Sequence, residues 1–384
     1  MATDWSAVRK HFPVLDEWVY LNTATFGPVP SVAVEAMEEH FAERNRTASL
    51  DFLSWYSRAD RVRGKIARWI GGKDDDIAFA PSAGIALSWI LHGLEWKPGD
   101  RILTFADEFP NNIYATTLME RHGVEVDRAP GRDAFDLPSF LGMIGPQTKL
   151  ILLSAVDYAH GLRPPLAAIG EAARKAGALF VVDGTQGAGA VPLDVEEQSI
   201  DVLLCHGYKW MCSPTGAGFL YVRSDARDRM NPTAVSWRTH SGWREVNELH
   251  HGSPEVPADA AKLEGGILNF SGIFAMEAVF DLYFSIGEVD LFSRVQELSQ
   301  LTQETLRRAG GKPNCDLHEH FDSPIVCAAF PDLDVSEMSA ALRSQQIAVS
   351  ARHGRLRVSP HFFNNQDDLA ALEAGIADYR KQVS

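Results

Sequence analysis

The chain has 384 residues, 45% of them apolar, and a formal net charge of −15. That length supports one large domain with a smaller one beside it, and the acidity argues against a nucleic-acid partner. The four cysteines, Cys205, Cys212, Cys315 and Cys327, contain no CxxC pair, so no zinc site or other metal site is expected. A reducing, cytoplasmic setting fits. Residues 1–11 lack a signal-peptide core, and no run reaches the ~20 apolar residues of a membrane helix, so no membrane partner is expected.

After the turn Gly27-Pro28-Val29-Pro30, Ser31 is expected to cap a helix over 32–44. From about residue 75 to 222, short apolar runs alternate with amphipathic stretches. Strands are predicted at 77–79, 101–105, 124–128, 149–154, 179–183, 202–205 and 218–222, with helices at 110–121, 135–144 and 166–176. This alternation predicts an α/β fold with a mostly parallel, doubly wound sheet, whose ligands sit at the carboxyl ends of the strands. Residues 233–257, rich in His, Trp, Gly and Pro, read as an irregular excursion, either a substrate-facing loop or a subunit contact. Helices at 273–286 and 289–308 follow. Strands at 325–330 and 355–359, with helices at 335–345 and 367–379, predict a small C-terminal α/β domain. The division expected is 16–280 for the large domain and 281–384, with 1–15, for the small one.

Two short segments carry the chemistry. In Val181-Val182-Asp183-Gly184-Thr185-Gln186 an acid ends a buried-looking strand, and in Cys205-His206-Gly207-Tyr208-Lys209-Trp210 a lysine follows the next strand. Alone, each is weak: an acid there is commonly a turn residue, and a lysine a solvated charge. Together, on neighbouring strands, they suit pyridoxal 5′-phosphate, with Lys209 as the Schiff-base lysine and Asp183 as the acid at the pyridine nitrogen. Ser82 in Ala80-Pro81-Ser82-Ala83-Gly84 reads locally as a helix cap.

With these residues the chain resembles the class V aminotransferase family of pyridoxal-phosphate enzymes, fold type I. The resemblance covers nearly the whole chain, from Tyr20-Leu21-Asn22-Thr23-Ala24 through Pro214-Thr215-Gly216-Ala217-Gly218 to Arg357-Val358-Ser359. It points to the cysteine desulfurase and selenocysteine lyase branch, with kynureninase-like features. It implies that Lys209 is catalytic and that Ser82, Ala83, His206 and Tyr208 surround the cofactor phosphate. It further implies Gln186 at the ring's 3-hydroxyl, Phe109 stacked on the ring, Asp157 beside the cofactor, and Arg357 and Asn22 at the substrate. A homodimer with active sites at its interface is implied as well.

Four departures stand out. Phe109 occupies the position of a stacked histidine in desulfurases, and phenylalanine cannot transfer protons. Asp157 stands where the family often has asparagine, and Ile267 where it often has a threonine that reaches the partner's phosphate. No cysteine follows Cys327, so the persulfide-forming loop of the desulfurases is missing. The reading is therefore a carbon–sulfur lyase acting at Cα and Cβ of an amino acid. An aminotransferase and an amino-acid epimerase are the alternatives, and a non-catalytic relative on the same fold is a third reading.

Overall fold

The computed structural model describes residues 3–383. In chain order the strands are β1 (Val19–Tyr20), β2 (Ile77–Ala80), β3 (Arg101–Phe105), β4 (Glu125–Ala129), β5 (Thr148–Ser154), β6 (Leu179–Asp183), β7 (Val202–His206) and β8 (Gly218–Val222). They continue with β9 (Lys312–Pro313), β10 (Val326–Ala329), β11 (Ile347–Ala348), β12 (Ser350–Arg352) and β13 (Arg355–Val358). The helices are α1 (Trp5–Arg9), α2 (Ser31–Thr47), α3 (Phe52–Ile70), α4 (Ala83–Gly93), α5 (Pro110–Thr117) and α6 (Leu137–Gly142). After them come α7 (Leu166–Ala176), α8 (Ser224–Arg227), α9 (Phe270–Ile286), α10 (Glu288–Arg308), α11 (Val335–Ser344) and α12 (Gln366–Val383).

Seven strands form the large sheet in the order β2-β8-β7-β6-β5-β3-β4. Strands β7, β6, β5, β3 and β4 run parallel, and only β8 is antiparallel to both its neighbours. Strand β6 is buried along its whole length and β5 everywhere but at Lys149, which is why Leu150–Leu153 and Leu179–Val182 read as unbroken apolar runs. Alternate residues feed two cores. Leu103, Ile151, Leu153, Phe180, Val182 and Leu203 face one core, while Ile102, Leu150, Leu152, Val181, Val202 and Leu204 face the other. Helices cover both faces, α2, α3, α7 and α9 on the first and α4 on the second. A third core joins α11 and α12 to a four-stranded antiparallel sheet, β12-β13-β10-β9. Strand β1 pairs in parallel with β11, so the N-terminal segment ties into the C-terminal part. Burial of one large aliphatic side chain contributes about 1.5–3 kcal/mol, against roughly 0–1 for an exposed ion pair; these cores, not surface charges, hold the fold.

Three sequence expectations need correction. Ser31 is the first residue of α2, not its cap; Pro30 holds the cap position without a side-chain bond. Helix α3 was not expected, although Trp55, Ala59, Val62, Ile66 and Ile70 mark one buried face and Gly71 ends it in the left-handed region at φ 69°. The helices predicted at 110–121 and 135–144 are shorter, and the first passes into a 3₁₀ turn at Leu118–His122. The segment 233–257 is irregular as expected, with a single 3₁₀ turn at Trp237–Thr239.

Candidate active site

Parallel pairing sets Ser154 of β5 beside Asp183 of β6, and Asp183 beside Leu204 of β7. The chain leaves all three strands at one edge. There a cavity is lined by Ser82, Ala83, Gly84, Phe109, Asn111, Ser154, Tyr158, Asp183, Thr185, Gln186, His206, Tyr208 and Lys209. The structure thus brings together eight of the predicted positions: Ser82, Ala83, Phe109, Asp183, Gln186, His206, Tyr208 and Lys209.

Lys209 and Asp183 are each only 6% exposed. Lys209 Nζ lies 5.4 Å from the Phe109 ring centre and 5.5 Å from that of Tyr208, and it makes no hydrogen bond or ion pair among the described residues. Burial pulls its pKa down to about 8, against the opposing pull of the Asp183 charge. The turn that presents it is closely packed. Gly27 N–H donates to the Tyr208 carbonyl at 2.9 Å, and a Cβ on Gly27 would collide with the Lys209 carbonyl oxygen. Asp183 Oδ1 accepts the Thr185 N–H at 2.9 Å, and the Thr185 hydroxyl accepts the His206 N–H at 3.2 Å. His206 Nε2 accepts the Gly216 N–H at 3.2 Å. Burial, aided by the Lys209 charge, lowers the pKa of this imidazole to about 4 and keeps it neutral.

Ser82 is the N-cap of α4, its Oγ accepting the Ile85 N–H at 3.2 Å. The cap reading and the cavity position therefore hold together. The first turn of α4 offers backbone N–H groups to an anion at this wall. Phe109 packs edge-on against Tyr158 at 5.1 Å.

Arg357, buried on β13, reaches the same region. Its Nη1 donates to the Tyr158 carbonyl and its Nη2 to Thr25 Oγ1, while Nε has no partner. An unmade bond on a buried donor costs about 1–3 kcal/mol, so this guanidinium is prepared for a further acceptor. Asn22 joins it through Thr25, whose hydroxyl donates to Asn22 Oδ1 at 2.8 Å; Ser350 Oγ donates to the same oxygen at 2.8 Å.

Asp157 is placed differently. Its carboxylate accepts the N–H groups of Ala159 and His160, and Arg132 Nε lies 3.5 Å away. It is absent from the cavity wall, and Tyr158 is there instead. The tight turn after β5 draws the carboxylate onto its own backbone. Thr25, Ser154, Tyr158 and Thr185 were missed from sequence; each lies within a few residues of a position that was named. The aromatics Trp237 and Trp243 pack with Tyr56 rather than against the cavity. Cys205, Cys212 and Cys327 are buried, with thiol pKa values pushed up by burial, and Cys315 sits beside Arg307 and Asp316.

A cation-poor pocket holding one buried, partnerless lysine, one buried acid, two flanking aromatic rings and a helix start fits a phosphorylated aromatic aldehyde. Comparisons agree. The chain is 29% identical to a probable cysteine desulfurase of Methanothermobacter thermautotrophicus, over 95% of each chain. It is 31% identical to the isopenicillin N epimerase of Streptomyces clavuligerus, over 96% of each. Among solved structures, a C-DES mutant with glycine covalently linked to its PLP cofactor superposes with a TM-score of 0.88, at 22% identity over 96% of this chain and 99% of that one. The apo cysteine desulfurase of Thermococcus onnurineus gives 0.88 at 23% identity over 100% of both. The aminotransferase class-V family model matches residues 19–379, and this chain belongs to that family of enzymes.

Proposed function

We propose that the protein is a pyridoxal-phosphate-dependent carbon–sulfur lyase that acts at Cα and Cβ of a cysteine-like amino acid. The observation that carries this is the pairing of partnerless, buried Lys209 with Asp183 in one cavity. When bound, the cofactor supplies an electron sink for the pair left on the substrate Cα. Lys209 is the group that holds the cofactor and then carries the Cα proton, and its lowered pKa keeps much of the amine neutral near pH 8. Asp183 would pair with the ring nitrogen and favour its protonated form, as an opposite charge does. Gln186 would serve the ring oxygen, Phe109 would stack on the ring face, and Ser82, Ala83, His206 and Tyr208 would surround the phosphate. Arg357 takes the substrate carboxylate, with Asn22 beside it through Thr25.

The chemistry stops short of a sulfur relay. Three of the four cysteines are buried, and none lines the cavity, so the sulfur product leaves directly. Phe109 adds no acid or base on its side of the ring. Asp157 pairs with Arg132 and accepts the N–H groups of its own turn, which supports a role in holding the Tyr158 turn at the cavity. A homodimer is supported by the exposed apolar side chains Phe26, Ile85 and Ile267, two of them next to cavity residues. The separate core of the small sheet supports a small C-terminal domain, but Val8, Phe12 and Leu15 pack in the large core while Leu21 joins the small one, so it is the segment around β1 rather than residues 1–15 that goes with the small domain. The acidic charge supports a cytoplasmic setting.

The test is incubation with cysteine or cystine and no keto acid. Pyruvate and ammonia are expected, with sulfide from cysteine or cysteine persulfide from cystine, or else alanine with sulfur left at the sulfane level; formation of neither pyruvate nor alanine would contradict the reading. An epimerase is the second reading, favoured by the 31% identity to isopenicillin N epimerase; it would exchange the Cα proton for solvent deuterium without releasing sulfur. An aminotransferase would stop after half a turnover, leaving the cofactor aminated.

A further inference from the structure

Trp210 follows Lys209 directly and is fully buried. Its indole Nε1–H donates to Gln186 Oε1 at 2.8 Å, and Gln186 Nε2 donates to the Ala24 carbonyl at 2.9 Å. An indole N–H can only donate, and a backbone carbonyl can only accept. These two partners therefore settle which end of the amide is oxygen and which is nitrogen, a choice that heavy-atom shape leaves open. One N–H of Gln186 is left without a partner among the described residues, and Gln186 is one of the residues that line the cavity.

Trp210 is itself held in place. Its carbonyl accepts the Tyr283 hydroxyl at 2.7 Å and His361 Nε2–H at 2.8 Å. His361 Nδ1 accepts the Phe362 N–H at 3.0 Å, which leaves the ring proton on Nε2. Gly189, at φ 92°, packs so near that a Cβ would meet the same carbonyl. Residues from α9 and from the turn before α12 thus brace the segment that presents Lys209.

We propose that Trp210 is a positioning residue that locks the Gln186 amide, so that a hydrogen-bond donor and not an acceptor faces the ring oxygen of bound pyridoxal phosphate. The inference rests on the cofactor reading above. An ionised ring oxygen accepts hydrogen bonds and is repelled by a carbonyl oxygen. Without the indole N–H, only the bond to the Ala24 carbonyl opposes a turn of the amide, and a turned amide would present the wrong end.

The test compares pyridoxal phosphate with 3-deoxypyridoxal phosphate, whose ring lacks that oxygen, in binding to the apoprotein by calorimetry. The wild type should favour the natural cofactor by about 10-fold or more, as for a hydrogen bond to a charged group. In Trp210→Phe the preference should shrink several-fold, whereas a purely structural loss would weaken both ligands alike. If Trp210→Phe fails to fold by circular dichroism, β-(3-benzothienyl)alanine placed at position 210 keeps the tryptophan shape and removes only the N–H. An unchanged preference in a folded variant overturns the inference, as does equal binding of the two ligands by the wild type. Failure of the wild type to bind either ligand instead brings down the cofactor reading together with this one.

Discussion

The wall carrying Asp183, Gln186 and Lys209 and the region around Arg357 are built by different means. The first comes from consecutive turns at the ends of adjacent strands, β6 and β7, where sheet register alone brings the side chains within reach. The second draws Thr25 from the N-terminal segment, the Tyr158 carbonyl from the turn after β5, and Arg357 from the small sheet. The two constructions differ in how independently their parts can change. A cofactor wall made by register tolerates little change, whereas a substrate wall assembled from three segments can be altered one segment at a time.

Substitutions on the two walls should therefore fail in different ways. Lys209→Ala should have the largest effect, a loss of about 10³–10⁴-fold in kcat, the scale of a positioned acid–base group; steady-state assay with cysteine measures it. Asp183→Asn follows, at about 10²–10³-fold in kcat, the scale of one preorganised electrostatic group, with a change in the visible absorbance of the bound cofactor. Arg357→Lys keeps the charge but not the planar fork. It should raise KM for cysteine by about 10-fold and leave the cofactor absorbance unchanged. If Arg357→Lys disturbed the absorbance as much as Asp183→Asn, the separation of the two walls would be wrong.

The smallest effect concerns Glu108, which supports the cofactor wall from behind. Its carboxylate accepts Ser154 N–H at 2.6 Å, Ser154 Oγ at 2.5 Å and Asn112 Nδ2 at 3.1 Å. Burial raises its pKa from 4.5 to about 7, despite those donors. A raised folded-state value means that the folded protein binds the proton more tightly than the unfolded chain. Its contribution is then complete below about pH 4.5 and is lost as pH rises through about 7. Glu108→Gln should flatten that decline, seen as urea midpoints at pH 5 and pH 8 that lie closer together than in the wild type. An unchanged gap between the midpoints would assign the pH dependence elsewhere.

The same contrast explains what could be read from the sequence. Asp183 and Lys209 were legible because buried parallel strands write apolar runs whose ends are visible, and because chemistry at such ends follows a general rule. Ser82 was legible as a cap, and the structure adds only what the cap faces. Asp157 was misplaced because side-chain direction in a tight turn is decided by local hydrogen bonds, here to Ala159 and His160, which spacing does not reveal. Tyr158, one residue on, takes the place at the cavity. Helix α3 was readable in the sequence and overlooked: Asp51 stands at its N-cap, Trp55, Ala59, Val62, Ile66 and Ile70 repeat at helical spacing, and Gly71 ends it. Thr25 could not be assigned a role, since its partner Arg357 lies at the other end of the chain.

The proposed function turns on Lys209 holding the cofactor. Its most direct test is reduction with borohydride of the protein reconstituted with pyridoxal phosphate, followed by peptide mapping. One phosphopyridoxyl label is expected, on the peptide that contains Lys209. No label, or a label on a different lysine, would contradict it.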